Sequence, residues 1–531
     1  AGPGVEGGAA SHPGAKPISC EHFEECGGCI ANEDLDRVPA VLEAKSFCES
    51  QLAISGGTTP GFDVHLGETE GWRTLAKLAV APGGAGPKGG VRLGLYQTGS
   101  HDVFEIPRCE VHHPAINAVV QAITKASRKI GVSAFEEGTR GDEGKGQLRY
   151  VTIMVERHTQ AVSVGLVWAA NTIVEATPVA QLLAKELRKL ETRKDGPSYR
   201  LHSVWLHLRG AGGGNAIFSR NPKAWQLLTG PNFVKESFQD DFTVQRLWER
   251  AGGAGEGESS PQLPQLFYSP AGFRQANLDA FSGVVAAVAS YLKLSRAKGF
   301  LTDDQLRVCE LYGGSGTIGL TLDGLVGPLQ WLRCSDENPV SLESFKKSAA
   351  WLSRPKSKEP MKRGRGGRGG RGGRGGQGGP KGSVSPAYGR YGYWEDRLSW
   401  EPMDAFDALI NGAAIGANAL VVDPPRAGLG QDVLRLLCET DPGLSGPCGV
   451  DKNTVLVYVS CGFEAFKKDA LKLIGSSLWH LEASEGHILF PGSNHIETVA
   501  LFRYGKKNVE ASNGLQRPGS EDNRRAGGRG G

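Results

Sequence analysis

The sequence lacks any apolar run long enough to cross a bilayer, so it does not read as a helical membrane protein. Cysteine is scarce. Ten in 531 residues are too few and too irregularly spaced for a disulfide scaffold. A strong charge of either sign is also missing, and a net charge of +3 does not by itself single out nucleic acid as a partner. There is no G-x-x-x-x-G-K-S/T loop, which disfavours ATP or GTP as a ligand. What is there, 39% hydrophobic and 22% charged residues, fits a soluble globular chain long enough for two cores plus tails. Residues 1–19 are mostly Gly- and Ala-rich, lack the Arg-rich amphipathic pattern of a transit peptide, and are expected to be a disordered stub.

The first ordered feature is a cysteine cluster, Cys20, Cys26 and Cys29, and tight clustering in an otherwise ordinary chain points to a metal in a reducing compartment. Residues 20–265 read as a mixed α+β domain. Strand-like segments (TLAKLAV, VRLGLY, HDVFEI, LRYVTIMVE, AVSVGLVW, SVWLHLR) alternate with helices expected at 114–130 and 178–190. From 266 to 505 the texture changes to alternating strand and helix. LRVCELY, LQWLRCS, ALVVD, VLVYVS and VALFRY predict a doubly wound, mainly parallel, Rossmann-like α/β sheet. Residues 354–393, with RGRGGRGGRGGRGG at 363–376, cannot build a core from Gly and Arg and are expected to be a disordered insertion, as is the tail at 506–531.

ELYGGSGTIGL, Glu310 to Leu320, sits where a strand hands over to a helix. Its glycines allow close backbone approach, and the helix N-terminus offers free N–H groups. Alone it could be a plain βα turn. The next strand ends in Asp336, where an acidic residue grips a ribose in dinucleotide-type folds, so a nucleoside-bearing cofactor is favoured. VLVYVSCGF puts Cys461 just past a strand, VVDPPRAGL puts Asp423 and Arg426 at the same edge, and NHIETV puts His495 and Glu497 before a final strand. Taken singly, these are a buried small hydrophobe, a turn former and a solvated strand end. Their joint arrival beside the cofactor turn is what favours a reactive site.

FRQAN, ELYGGSGTIGL, VVDPPRAGL, YVSC and HIETV occur in the order found in RNA uracil-C5 methyltransferases, the 5-methyluridine enzymes of tRNA and rRNA. The chain resembles that family over nearly all of Cys20 to Phe502 apart from the Gly/Arg insertion. The resemblance implies S-adenosyl-L-methionine as cofactor, held by Gln275, Tyr312, Thr317, Asp336 and Asp423, with Glu337 replacing Asp336 on a one-residue shift. It implies that Cys461 adds to uracil carbon 6 and that Glu497 removes the proton from carbon 5 after methylation. The chain departs from the family pattern at Gly462-Phe463 in place of Asn-Pro, at Ser493 in place of Thr, and at Tyr312 in place of Phe. Substrate choice is expected to differ at Gly462-Phe463.

Zinc is the generic reading of three clustered cysteines, and a fourth ligand is needed. Iron–sulfur members of the family carry CxxxxxCGGC followed by a fourth Cys after a G-L-Y…S-H segment. The resemblance therefore implies a [4Fe-4S] cluster on Cys20, Cys26, Cys29 and Cys109, with Cys48 as the competing fourth ligand. The implied partner is RNA, rRNA or tRNA, presenting a flipped uridine. No membrane and no obligate protein partner is indicated. The Arg/Gly insertion either binds RNA through charge and stacking or is a tolerated loop expansion. Two other readings stay open: a non-catalytic RNA-binding or chaperone protein on a methyltransferase fold, and an amino-group methyltransferase. Gly-Phe after Cys461 and the D-E-N-P segment at Asp336 resemble plant and algal members, implying the chloroplast; the cytoplasm or mitochondrion are the other locations.

Overall fold

The computed structural model describes residues 16–57, 61–84, 89–137, 144–191, 199–209, 217–218, 222–239, 262–353, 394, 396–439, 448–450 and 453–505. The Gly/Arg insertion, residues 1–15 and the tail after 505 lie outside them.

Two large sheets organise the chain. The first has seven strands in the order β4-β3-β2-β5-β6-β7-β8, formed by β2 (Leu75–Pro82), β3 (Val91–Tyr96), β4 (Val103–Glu105), β5 (Leu148–Glu156), β6 (Ala161–Trp168), β7 (Arg200–Leu208) and β8 (Trp225–Thr229). Its neighbours pair antiparallel except β6 with β7, which are joined through a helix. The helix Pro114–Ile130 buries Ile116, Val119, Val120 and Ile123 at helical spacing against this sheet, starts with Pro at its first turn and stops at Gly131 in the left-handed region. The helix expected from Pro178 instead begins one turn earlier, at Ile173. Burial of Ala176 and Ala180 on the sheet outweighs the backbone hydrogen bond that Pro178 cannot donate.

The second sheet has eight strands in the order β1-β16-β17-β15-β14-β11-β12-β13. They are β1 (Asp63–Leu66), β11 (Arg307–Leu311), β12 (Trp331–Ser335), β13 (Leu398–Glu401), β14 (Ala419–Val422), β15 (Val455–Ser460), β16 (Trp479–Ile488) and β17 (Glu497–Tyr504). All pair in parallel except β17, which runs antiparallel to both β15 and β16. Every residue of β14 and β15 is buried, as expected of parallel strands covered on both faces. One face is covered by the helix Leu278–Ala297; contrary to the expectation that no apolar run is long enough to cross a bilayer, this one has the length and hydropathy of a membrane span, but it is built into the core through Phe281, Val284, Val285, Val288 and Leu292. The other face is covered by Phe463–Gly475 and by Pro39–Ser55.

The boundary expected at 265/266 is therefore crossed. Pro39–Ser55 packs on the second sheet and β1 forms its edge, although both precede every strand of the first sheet. Val41, Ala44, Cys48 and Leu52 supply the apolar stripe that finds this partner, and local sequence pattern carries no information about which sheet a stripe will meet.

Candidate active site

In an open α/β sheet, ligands meet the carboxyl ends of the strands where the strand order reverses. Here β11 lies between β12 and β14, so the reversal falls beside the glycine turn. A cavity of about 620 Å³ opens there, and Gln275, Tyr312, Thr317, Asp336, Asp423 and Cys461 all line it.

The turn after β11 is shaped by close packing. Glu310 is buried in the strand, and its Oε1 accepts the Gly319 N–H at 3.2 Å. Burial pushes its carboxyl up to about 8. A Cβ at Gly313 would stand 2.4 Å from the Cys334 sulfur and 2.9 Å from Glu310 Cγ, so only glycine fits. Tyr312 holds a positive φ of 57°, and its hydroxyl donates to the Leu429 carbonyl at 2.7 Å, tying this turn to the loop after Asp423. The phenol that replaces the family's Phe thus has a partner of its own. The Thr317 hydroxyl lies 2.8 Å from the Tyr268 hydroxyl. Asp336, directly beyond β12, accepts the Gly314 N–H on Oδ2 at 3.0 Å and the Asn338 N–H on Oδ1 at 2.8 Å. Glu337 also faces the cavity.

FRQAN is an anchor with three functions. Arg274 is almost wholly buried and donates to the Glu236 carboxylate, to the Val155 and Thr74 carbonyls and to the Thr74 hydroxyl, joining the first sheet to this segment. Asn277 accepts from Ala280 N–H to cap the helix Leu278–Ala297 and donates to the Leu489 carbonyl. Gln275, held between these two, faces the cavity.

Cys461 and Glu497 arrive from neighbouring antiparallel strands. The last residues paired between β15 and β17 are Ser460 and Thr498, so Cys461 and Glu497 come next on either side, at the same end of the sheet. Glu497 is buried, and its Oε2 has no hydrogen-bond partner among the described residues. Burial, then the Asp423 carboxylate, push Glu497 up to about 8, while Arg426 pulls it down. Burial, then Asp336, raise Asp423 to about 7. Burial followed by Glu497 and Asp423 pushes Cys461 up to about 11, against Arg426. Three groups that resist becoming anions together are gathered at one point, a pattern typical of sites that move protons. Arg426 lies 3.3 Å from His495 Nε2.

The Gly-Phe after Cys461 has a packing reason. A Cβ at Gly462 would stand 2.6 Å from the Arg426 carbonyl oxygen and 2.9 Å from its Cα. Phe463 starts the following helix and turns into the core against Phe47 and Phe466, at centroid distances of 5.9 and 6.1 Å. Neither residue lines the cavity. Among the lining residues that sequence reading did not single out are Tyr268, Met403 and Asp404. Asp404 follows β13 as Asp336 follows β12, and caps the helix Ala405–Ile410 through the Asp407 N–H. Its strand lies just beyond the Gly/Arg segment that hid it.

The four cysteines Cys20, Cys26, Cys29 and Cys109 line a second cavity of about 140 Å³, together with Arg73 and His112. Asn117 fixes Cys109 by bonding both its N–H and its carbonyl, at 3.1 and 3.0 Å. Burial and the other three sulfurs push Cys29 up to about 11. Among the described residues, no three of these sulfurs lie within 4.8 Å of one another. Cys48 is elsewhere, fully buried in the core on the second sheet. The segment after Cys29 is bonded to the loop that leads to Glu497: Ile30 and Ala31 N–H both donate to the Gly492 carbonyl, and Ala40 N–H donates to the Asn494 side chain.

No protein-family model matches the chain. A protein of Protochlamydia amoebophila named an uncharacterized RNA methyltransferase is 28% identical over 91% of this chain and 97% of its own length. One of the same description from Halalkalibacterium halodurans is 20% identical over 91% of this chain and 82% of its own. These relatives support an RNA methyltransferase family. The crystal structure of a tRNA (uracil-54, C5)-methyltransferase from Pyrococcus abyssi in complex with S-adenosyl-L-homocysteine superposes with a TM-score of 0.52 at 15% identity, covering 87% of this chain and 82% of that one. That likeness is one of fold: a mixed α/β architecture with a large, mainly parallel sheet.

Proposed function

We propose that the protein is an S-adenosylmethionine-dependent RNA methyltransferase that forms 5-methyluridine through a covalent Cys461–uracil adduct. The observation that carries this reading is Cys461 at the wall of a cavity lined by Gln275, Tyr312, Thr317, Asp336 and Asp423, with the buried Glu497, which does not itself line that cavity, at the same end of the neighbouring strand and its Oε2 without a hydrogen-bond partner among the described residues. A direct attack by a substrate lone pair would need no thiol there, and a binding-only protein would need no buried base.

The cavity suits the cofactor: about 620 Å³, with an acidic residue past β12 and a glycine turn leading into a helix N-terminus. Bound S-adenosylmethionine would supply an electrophilic methyl group and a positive sulfonium that favours the anionic forms of Asp423, Glu497 and Cys461. Asp336 and Gln275 would hold its polar parts.

Carbon 5 of uracil is a weak nucleophile. Cys461, once deprotonated, adds its sulfur to carbon 6 and leaves carbon 5 electron-rich enough to accept a methyl group. Carbon 5 then carries both the methyl group and its original proton. Glu497, as carboxylate, takes that proton; the electron pair re-forms the carbon 5–carbon 6 double bond and expels the Cys461 thiolate. Arg426 lowers the cost of both anions. The uridine must leave the base stack to reach this point. Phe273, exposed at the cavity, offers a ring on which the flipped base could stack.

The second cavity gathers Cys20, Cys26, Cys29 and Cys109 around one space, a set of four soft donors that suits a four-iron, four-sulfur cluster. When bound, such a cluster would take up the cysteines as thiolates and offset part of their mutual repulsion. Its role here is structural, because the same segment is hydrogen-bonded to the loop that sets the approach to Glu497.

The test is nucleoside analysis of RNA incubated with purified protein and S-adenosylmethionine. 5-Methyluridine appearing with wild type and not with Cys461→Ala supports the reading. RNA that is bound but unmodified supports a binding protein, and a methylated exocyclic amine supports the amino-group alternative.

A further inference from the structure

On the opposite edge of the second sheet from β13, strands β1 and β16 bring two histidines and a glutamate together. Their parallel register pairs His65 with His487 and Asp63 with Glu485, so all three side chains project from the same face. His487 Nε2 lies 2.8 Å and His65 Nε2 3.4 Å from one and the same atom, Glu485 Oε1, and the two imidazole rings are 4.9 Å apart. One ligand atom from each residue lies within 4.8 Å of those of the other two.

We propose that His65, Glu485 and His487 form a binding site for a divalent transition metal ion of the zinc type. Two imidazoles and one carboxylate are a donor set that such ions favour, with a fourth position left to water. Ligands about 2.1 Å from a tetrahedral ion stand about 3.4 Å from one another. His65 and Glu485 are already at that separation. His487 needs to withdraw by about 0.6 Å to reach it, within reach of a carboxylate or ring rotation. The burial is graded as a binding site requires. The side chain of His487 is 3% exposed, Glu485 16% and His65 33%, so the ion has a fixed floor and an open entrance.

The three ligands come from the two strands that join the N-terminal segment to the sheet. An ion here would clip the four-residue edge strand β1 to β16 and hold its register. A strand that short has few backbone bonds with which to keep its place. The site is separate from the four-cysteine cavity and does not depend on the methylation reading.

The experiment is equilibrium dialysis of full-length protein, prepared anaerobically so that iron stays bound, against buffered zinc, with zinc and iron per chain measured afterwards. Wild type is expected to hold one more zinc than His65→Ala or Glu485→Gln, with iron unchanged among the three. Losing an outer-shell partner costs about 10–100-fold in metal affinity, so losing a direct ligand should weaken zinc binding by at least about 100-fold. His65→Cys, which keeps a donor at the position, should retain the ion. Wild type and His65→Cys, but not His65→Ala or Glu485→Gln, should gain thermal stability on adding zinc, a readout that also shows whether the variants are folded in its absence. Equal zinc in wild type and His65→Ala, including none in either, would overturn the proposal.

Discussion

Replacing Glu497 with Gln probes both the chemistry and the energetics of the site. The carboxyl is buried, its Oε2 meets no donor among the described residues, and its proton affinity is raised from the ordinary 4.5 to about 8. Each tenfold change in proton affinity is worth about 1.4 kcal/mol, so this rise corresponds to at most about 5 kcal/mol. The sign follows from the direction. The folded state prefers the protonated acid, so the stability this group contributes is fully present below about pH 4.5 and lost as pH rises through about 8. A glutamine does not titrate. The stability of wild type relative to Glu497→Gln should therefore fall steadily across that window, by up to about 5 kcal/mol, and level off above it. Relief of the Asp423 carboxylate, which repels Glu497, reduces the figure without changing its sign. Urea denaturation of both proteins from about pH 5 to about pH 9 measures the difference directly. Parallel curves with no pH-dependent gap would refute the picture of a carboxylate buried without a partner. In turnover, the same variant should methylate once and then stall with RNA attached, because nothing removes the carbon 5 proton.

Gly462→Ala should misplace Cys461, since the new Cβ meets Arg426 backbone rather than a movable side chain. A loss of about 1–3 kcal/mol in denaturation and a fall in kcat of at least about tenfold are expected. The proposed four-iron cluster predicts a brown, iron-containing wild type and a Cys109→Ser variant lacking both colour and iron, checked by iron content measured beside the spectrum. The rate of methylation at saturating cofactor should rise with pH as Glu497 loses its proton, with a midpoint below the value of about 8 of the cofactor-free site because the sulfonium favours the carboxylate, read as a pH profile of kcat.

Much of the second sheet could be read in advance because its central strands are buried on both faces and so appear as uninterrupted apolar runs, ALVV and VLVYVS above all. The residues that follow those runs, Asp423 and Cys461, were legible for the same reason: a strand's end is visible where its hydrophobicity stops. β16 was not. WHLEASEGHI buries Glu482, Ser484 and His487 among its apolar residues, and a polar strand with a register shift between Leu481 and Ala483 has no clean alternation to recognise. Burial of Glu482 is made tolerable by Arg503 on the neighbouring strand, a partner 21 residues away. β1, at DVHL, is too short to announce itself, and its placement depends on a strand more than 400 residues later. Gly462-Phe463 teaches a different lesson. The pair stands out in the sequence beside Cys461, but its neighbours, Arg426 backbone and the aromatic core, cannot be read there.

The most direct test of the central claim uses RNA in which uridine is replaced by 5-fluorouridine. Fluorine at carbon 5 cannot leave as a proton, so Glu497 has nothing to remove and the Cys461 sulfur stays bonded to carbon 6. Incubation with S-adenosylmethionine should give a protein–RNA species that survives denaturing electrophoresis, with the methyl group in it and the link at Cys461 by mass spectrometry. The same incubation with Cys461→Ala should give none. Methylation of ordinary RNA by Cys461→Ala, or a wild type that methylates ordinary RNA yet forms no adduct with the fluorinated one, would contradict the account.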